Sequence, residues 1–307
     1  MPKTITQARG LRVLVYHGIC DDQPWLFNSR YLSVKQFEEH LQLIKTVYNP
    51  ISLSDIVDGN LSDRLNILIT FDDGLKNNFS HAFPILKKYQ VPAIFFVTGM
   101  AAEPVPYLFN DIADVVPFIA ANEVELNEER FHNKKIHLNK RFVNKDKLQL
   151  AHQYHTASGK DREAITSQLI NLVPEELLGK HKVYFELMNA AELKEISDHP
   201  DYEIGAHGFY HTDLTAVPEK EMQDELQRSV IYLKTLLHKD VRAIAFPYGH
   251  YNQAVTNACE QEKFHYLFRT EHDVAVNTKS QLFERFTVNP FVSALNQMYD
   301  IAKNTYE

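Results

Sequence analysis

Asp72 and Asp73 stand side by side, directly behind the run NILITF (66–71) and directly ahead of Gly74. A short run dominated by Ile, Leu and Phe reads as a strand buried on both faces. Consecutive side chains of a strand point to opposite faces, so both carboxylates enter one site only if the chain turns there, and Gly74 permits that turn. His207 and His211 lie four residues apart behind a second strand-like stretch in EIGAHGFYH. Two imidazoles and one carboxylate form a three-ligand set for a divalent cation with one coordination position open, the mark of a catalytic zinc site rather than a structural one. The residues between the histidines, Gly208, Phe209 and Tyr210, include no glutamate, which excludes the zincin pattern. A third element, AFPYG (245–249), places Pro247 and Gly249 around Tyr248, so that the Tyr248 N–H could face a substrate. Each element also has a plainer reading. One aspartate caps a helix while the other meets water, the histidine pair is a coincidence among fifteen histidines, and AFPYG is a β-turn.

The elements that must position these residues alternate. LRVLVY (11–16), NILITF (66–71) and AIFFVTG (93–99) read as strands. Between them, Ser33 to Gln36 has capping-box spacing ahead of Phe37, Leu41 and Ile44 at helical period, and 79–90 reads as a helix. From about 101 to 200 the rhythm breaks into mixed polar helices and the charged stretch NEERFHNKKIHLNKRF, expected as a hairpin or an exposed lobe. No Gly/Ser tract sets this region apart, so it is taken as a largely helical insertion after the third strand of a single domain spanning 1–307. Alternation resumes with strands near 203–208, 242–249, 265–270 and 283–288, and with helices near 226–237, 252–262 and 293–304. Six or seven β/α units with parallel pairing predict an α/β, TIM-like barrel, whose sites lie at the carboxyl ends of the strands. His40, His81, His152, His155, His199 and His238 occupy polar helical contexts and read as surface residues.

Bulk properties narrow the partners. With 44% hydrophobic and 23% charged residues and a formal net charge of −8, the chain has an ordinary globular composition. Lysine and arginine are scattered, which excludes the basic face a nucleic-acid partner requires. No apolar run reaches the roughly 20 residues needed to cross a bilayer. Two distant cysteines, Cys20 and Cys259, and the absence of a signal-like N-terminus lead to the expectation of a cytoplasmic protein.

Taken in order, TFDDG, H-x-x-x-H and the P-Y-G turn resemble the polysaccharide deacetylases with the NodB homology domain, carbohydrate esterase family 4. The resemblance is strong across 11–100 and 203–250 and thin elsewhere. VLVYHGI, followed by a helix and ISLSDIV, is similar to the branch that acts on poly-N-acetylglucosamine. The resemblance implies a distorted (β/α)7 barrel and an N-acetylated carbohydrate substrate. It implies a metal, usually zinc, on Asp73, His207 and His211, and the same donor set also accepts cobalt or nickel. It further implies Asp72 as general base and the Tyr248 amide, within Pro247–Tyr248–Gly249, as oxyanion donor against the substrate. Two departures stand out. An arginine that many members place three residues before that tyrosine, tethering the base, is Ala245 here, and the C-terminal Leu-x-His acid is missing. The branch implies His17, at the end of the first strand, as substitute acid, with His272 and Asp273 as weaker candidates. Competing readings are an amidohydrolase of a small non-sugar amide and a non-catalytic carbohydrate-binding relative. Phosphoryl transfer lacks a phosphate-cradling glycine-rich loop.

Overall fold

The computed structural model describes residues 3–21, 24, 26–120, 122–137, 139–270 and 274–303. Seven strands carry the architecture: β1 (Leu11–Tyr16), β2 (Asn66–Phe71), β3 (Ala93–Val97), β4 (Tyr202–Ala206), β5 (Ala243–Ala245), β6 (Tyr266–Arg269) and β7 (Gln281–Thr287). Each pairs in parallel with its neighbour in the chain, and β1 pairs with both β2 and β7, so the sheet closes into the expected seven-stranded barrel. All six residues of β2 and all five of β3 are buried, because a closed parallel sheet covered by helices leaves neither face to water. The two side-chain parities divide the work. Val13, Leu68, Ile94, Phe96, Phe268 and Phe283 pack among themselves inside the barrel. The alternate set, including Leu14, Ile69, Phe95, Ile244 and Leu267, packs outward against the helices.

Helix α1 (Val34–Val47) begins at Ser33, whose side chain and that of Gln36 form the reciprocal capping box, and it buries Phe37, Leu41 and Ile44 as its periodicity requires. Helix α2 (Phe83–Tyr89) follows β2 after a π-turn at Asn78–Ala82. After β3 the chain leaves the barrel. Helix α3 (Phe109–Ile119), an antiparallel three-stranded meander (Glu123–Leu126, Glu129–Ile136, Asn139–Val143) and helix α4 (Gly159–Asn171) share a hydrophobic cluster of their own with Phe27, Tyr31 and Leu75 from the barrel rim. The excursion is shorter than the expected 101–200. Helix α5 (Ala190–Asp198) already buries Leu193 and Ile196 in the barrel's outer core, making it the crossover into β4. Helices α6 (Glu219–Leu237), α7 (Gln253–Gln261) and α8 (Ala294–Lys303) complete the shell. None of the described helices is long and apolar enough to span a membrane.

His40 departs from its expected surface position. It is 1% exposed on α1, and its Nδ1 shares a hydrogen bond with the Tyr16 hydroxyl of β1 at 3.3 Å. Polar neighbours in the sequence hid the fact that position 40 lies on the same helix face as Phe37, Leu41 and Ile44. Burial lowers its pKa from 6.5 to about 4. Between those values the unfolded chain binds a proton that the folded chain refuses, so stability is full above pH 6.5 and falls as the pH drops toward 4. The loss is about 3 kcal/mol. His40→Asn, whose amide can still hydrogen-bond Tyr16, is expected to flatten the decline of melting temperature between pH 6.5 and 4 relative to the parent.

Candidate active site

Three loops at the carboxyl rim of the barrel bring the chemistry together. The hydrogen-bond ladder runs one residue past the strands: Asp72 N donates to the Tyr16 carbonyl at 3.0 Å, His207 N to Val97 at 2.9 Å, and Phe246 N to Phe268 at 3.0 Å. Beyond those points each loop turns through left-handed backbone. Asp73 (φ 74°) and Gly74 (φ 78°) turn the first, Gly208 (71°) and His211 (57°) the second, and Tyr248 (60°) and Gly249 (73°) the third. The strand parity of Leu68 and Thr70 sends Asp72 into the barrel mouth, and the turn swings Asp73 to the same side. A β-carbon on Gly74 would meet Val97 atoms at 3.1–3.3 Å, so glycine serves both conformation and space.

Asp73, His207 and His211 are all buried, and one ligand atom from each lies within 4.8 Å of the others. Asp73 Oδ1 is 3.4 Å from His211 Nε2 and 3.7 Å from His207 Nε2. Ligands about 2.0–2.1 Å from a tetrahedral cation sit about 3.3 Å apart, so these separations suit ligands around one ion better than hydrogen bonds. Protonation also fits. His207 Nδ1 lies 2.8 Å from the Ala245 carbonyl, which can only accept, so Nδ1 carries the proton and Nε2 offers its lone pair inward. Burial, with His207 beside it, holds His211 well below the usual imidazole range and therefore neutral. Burial raises the Asp73 pKa, but His17 and His211, protonated at the low pH where Asp73 titrates, together with Arg30 more than offset this and leave it below the usual carboxylate value.

Asp72 has a different partner. Arg285, 1% exposed on β7, grips it with both terminal nitrogens, Nη1 to Oδ1 at 2.6 Å and Nη2 to Oδ2 at 2.8 Å. Register places Arg285 beside Val13, itself beside Leu68, so the side chain climbs the inner wall past the Thr70 hydroxyl at 3.4 Å. Burial raises the Asp72 pKa, but Arg285 and then His207 more than offset this and leave it at about 2. The tether that Ala245 cannot provide thus arrives from another strand. The signal in the sequence was an arginine in FERFTV at the inward parity of Phe283. His17 follows β1 at the same rim. Desolvation there, with Arg30, lowers it to about 4 against the pull of Asp73 and Asp72. His272 and Asp273 lie outside the described residues.

Supporting residues come from farther away and carry no motif. Glu225 of α6, 3% exposed, accepts through one carboxylate oxygen from the N–H groups of Phe209, Tyr210 and Thr212, holding the loop between the two histidines. The Tyr248 hydroxyl receives Asn110 Nδ2 at 2.8 Å and Arg162 Nη1 at 3.1 Å, both from the insertion. His155, read as a surface residue, instead joins His250 around Asp213 Oδ2 at 3.2 and 2.6 Å, with its ring edge-on to Tyr248. Those short distances belong to a hydrogen-bonded carboxylate, in contrast to the wider triad.

The polysaccharide deacetylase family model matches residues 61–117 and 173–267, two stretches that flank the middle of the insertion and contain Asp72, Asp73, His207, His211 and Tyr248. The chain belongs to the polysaccharide deacetylase family. It is therefore a hydrolase of the group that removes N-acetyl groups from sugars. A curated relative assigned to the same family, YxkH of Bacillus subtilis (strain 168), is 21% identical over 290 residues, covering 92% of this chain and 73% of that protein. Among solved structures, the Streptococcus pyogenes deacetylase PplD in complex with acetate aligns with TM-score 0.59 at 17% identity, covering 94% of this chain and 96% of PplD. IcaB from Ammonifex degensii aligns with TM-score 0.57 at 19% identity, covering 97% and 98%. At these identities the structural likenesses carry the fold. The family assignment rests on the matched stretches.

Two outcomes follow from this geometry. Arg285→Met strands a buried carboxylate and is expected to destabilise the protein by about 3–5 kcal/mol in denaturant unfolding, with part of the loss recovered in the Arg285→Met/Asp72→Asn double variant. Glu225→Ala frees three N–H groups behind the histidines and is expected to weaken divalent-cation affinity about 10–100-fold in competition with a chromophoric chelator.

Proposed function

We propose that the protein is a metal-dependent deacetylase of N-acetylglucosamine-type sugars, with the cation held by Asp73, His207 and His211. The observation that carries this reading is the buried triad, spaced for ligands, with Asp72 clamped beside it. The similarity of VLVYHGI and ISLSDIV to the poly-N-acetylglucosamine branch supports the sugar. Zinc is the ion this donor set favours, with cobalt and nickel able to substitute. A divalent cation bound there supplies acidification of a water and polarisation of the acetyl carbonyl.

The remaining work falls to the chain's own side chains. Asp72, ionised and fixed by Arg285, accepts the proton of the attacking water. The Tyr248 amide, presented by the Pro247–Gly249 turn, donates to the oxyanion, while Asn110 and Arg162 hold the ring that anchors this turn. His17 gives a proton to the departing amine nitrogen. It enters the cycle neutral, so the proton it delivers is one gained during turnover. Confinement by the insertion limits competing solvent around these groups.

Asp73→Ala and His207→Ala are expected to emerge without bound metal. Asp72→Asn and His17→Ala are expected to keep one equivalent and to lose about 10²–10⁴ in kcat. Elemental analysis alongside acetate release from N-acetylglucosamine oligomers reads both. Full turnover in Asp72→Asn would remove the base assignment, and a wild-type protein that retains no divalent metal would remove the whole reading.

A further inference from the structure

Asp111, in the first turn of α3, is 2% exposed, yet its Oδ2 has no hydrogen-bond partner. Its Oδ1 lies 3.9 Å from Arg30 Nη2, beyond hydrogen-bond range. The other carboxylates around the barrel mouth are accounted for. Asp72 is gripped by Arg285, Asp213 by two histidines, Glu225 by three amides, and Asp73 faces two imidazoles. One turn along the same helix, Asp114 pairs with Arg141 at 3.2 Å. A buried carboxyl with an unmet oxygen costs roughly 1–3 kcal/mol or more, so the oxygen calls for a partner that the chain itself does not supply.

Its position says which ligand. The preceding residue, Asn110, donates to the Tyr248 hydroxyl, and the Tyr248 ring packs edge-on to the His211 ring at 4.8 Å, so the start of α3 overhangs the triad. Arg30 lies in the field of both Asp73 and Asp111. It also lines a cleft of about 410 Å³ with Thr287, Val288 and Phe291, at the carboxyl end of β7. The guanidinium beside Asp111 disfavours a second cation there, whether metal or ammonium. A neutral hydroxyl, donor and acceptor at once, suits the site.

We infer that Asp111 forms a sugar subsite, hydrogen-bonding a ring or exocyclic hydroxyl of the residue whose acetamide reaches the triad, with Arg30 and the adjoining cleft receiving the next residue of the chain. The inference rests on the deacetylase reading and names the group through which the insertion recognises substrate. Calorimetric binding of N-acetylglucosamine oligomers to metal-loaded protein tests it without relying on turnover. Asp111→Leu, close in size but without hydrogen bonds, is expected to bind oligomer about 10–100-fold more weakly. It should also keep its full metal content and melt at or above the parent temperature, since an unmet buried oxygen is gone. Asp111→Asn, which can still bond a hydroxyl, should fall within a few-fold of the parent. Wild-type strength in Asp111→Leu, equal damage in Asp111→Asn, a drop in melting temperature or metal content, or no oligomer binding by the parent would each overturn the subsite. Oligomer binding that depends on Asp111 in a protein releasing no acetate would instead leave the subsite standing and remove the hydrolase reading.

Discussion

Two adjacent carboxylates cannot be buried together and ionised unless something separates their fates. Bare repulsion in a low-dielectric pocket would push one of them toward protonation. Here Arg285 resolves the conflict from β7, on the other side of β1, fastening Asp72 through both oxygens, while Asp73 faces both His207 and His211 and Asp72 also approaches His207, at 3.7 Å. The division gives two like groups different surroundings in the same small volume, one paired with a guanidinium and one facing two imidazoles. It also explains why a fully buried arginine is tolerated inside the barrel. Its charge meets a carboxylate in bidentate geometry, and its plane lies over the Phe96 ring at 5.5 Å.

The rim is built from backbone that resists its own conformation. Asp73, His211 and Tyr248 all adopt left-handed φ angles that cost a side-chain-bearing residue on the order of 1 kcal/mol or more. What holds them is specific in each loop. The turn after β2 is locked by Gly74 against Val97, the histidine loop by the Glu225 carboxylate, and the Tyr248 turn by Asn110 and Arg162 at its hydroxyl. In the His155–Asp213–His250 group nearby, the shared carboxylate oxygen lies 3.2 and 2.6 Å from the two rings.

Local pattern was enough to read the barrel. Strand runs such as NILITF and AIFFV are buried throughout, and the period of Phe37, Leu41 and Ile44 matches the buried stripe of α1. Asp72, Asp73, His207, His211 and Tyr248 were legible because each sits within a few residues of a strand end, where topology alone dictates convergence. Arg285 was not, since its meaning depends on the closure of β7 against β1, more than 200 residues from Asp72. Glu225 and Arg162 were missed for a related reason, as each looks like an ordinary charged helix residue until its helix is docked. His40 misled in the opposite direction. Polar neighbours concealed a position on the apolar stripe.

The insertion matters most where local pattern is silent. It contributes no strand to the barrel and no residue of the triad, yet Asn110, Asp111, His155 and Arg162 all reach the rim from it. Arg162 is the clearest case. It is 2% exposed and bonds at once to the Tyr248 hydroxyl, the Tyr210 carbonyl and the Thr212 hydroxyl, so one guanidinium couples the histidine loop to the tyrosine turn. A long loop that only covered the barrel would present apolar groups to it, and the insertion does so where its own cluster packs against Phe27, Tyr31 and Leu75 of the rim. Its polar contacts reach all three loops that carry strained backbone: Met188 N donates to the Gly74 carbonyl, Arg162 bonds to the histidine loop, and Asn110 and Arg162 hold the tyrosine turn. The physical consequence is that insertion and site cannot be varied independently: altering the helices that present Asn110 and Arg162 changes the placement of Tyr248 before it changes any surface that a substrate meets.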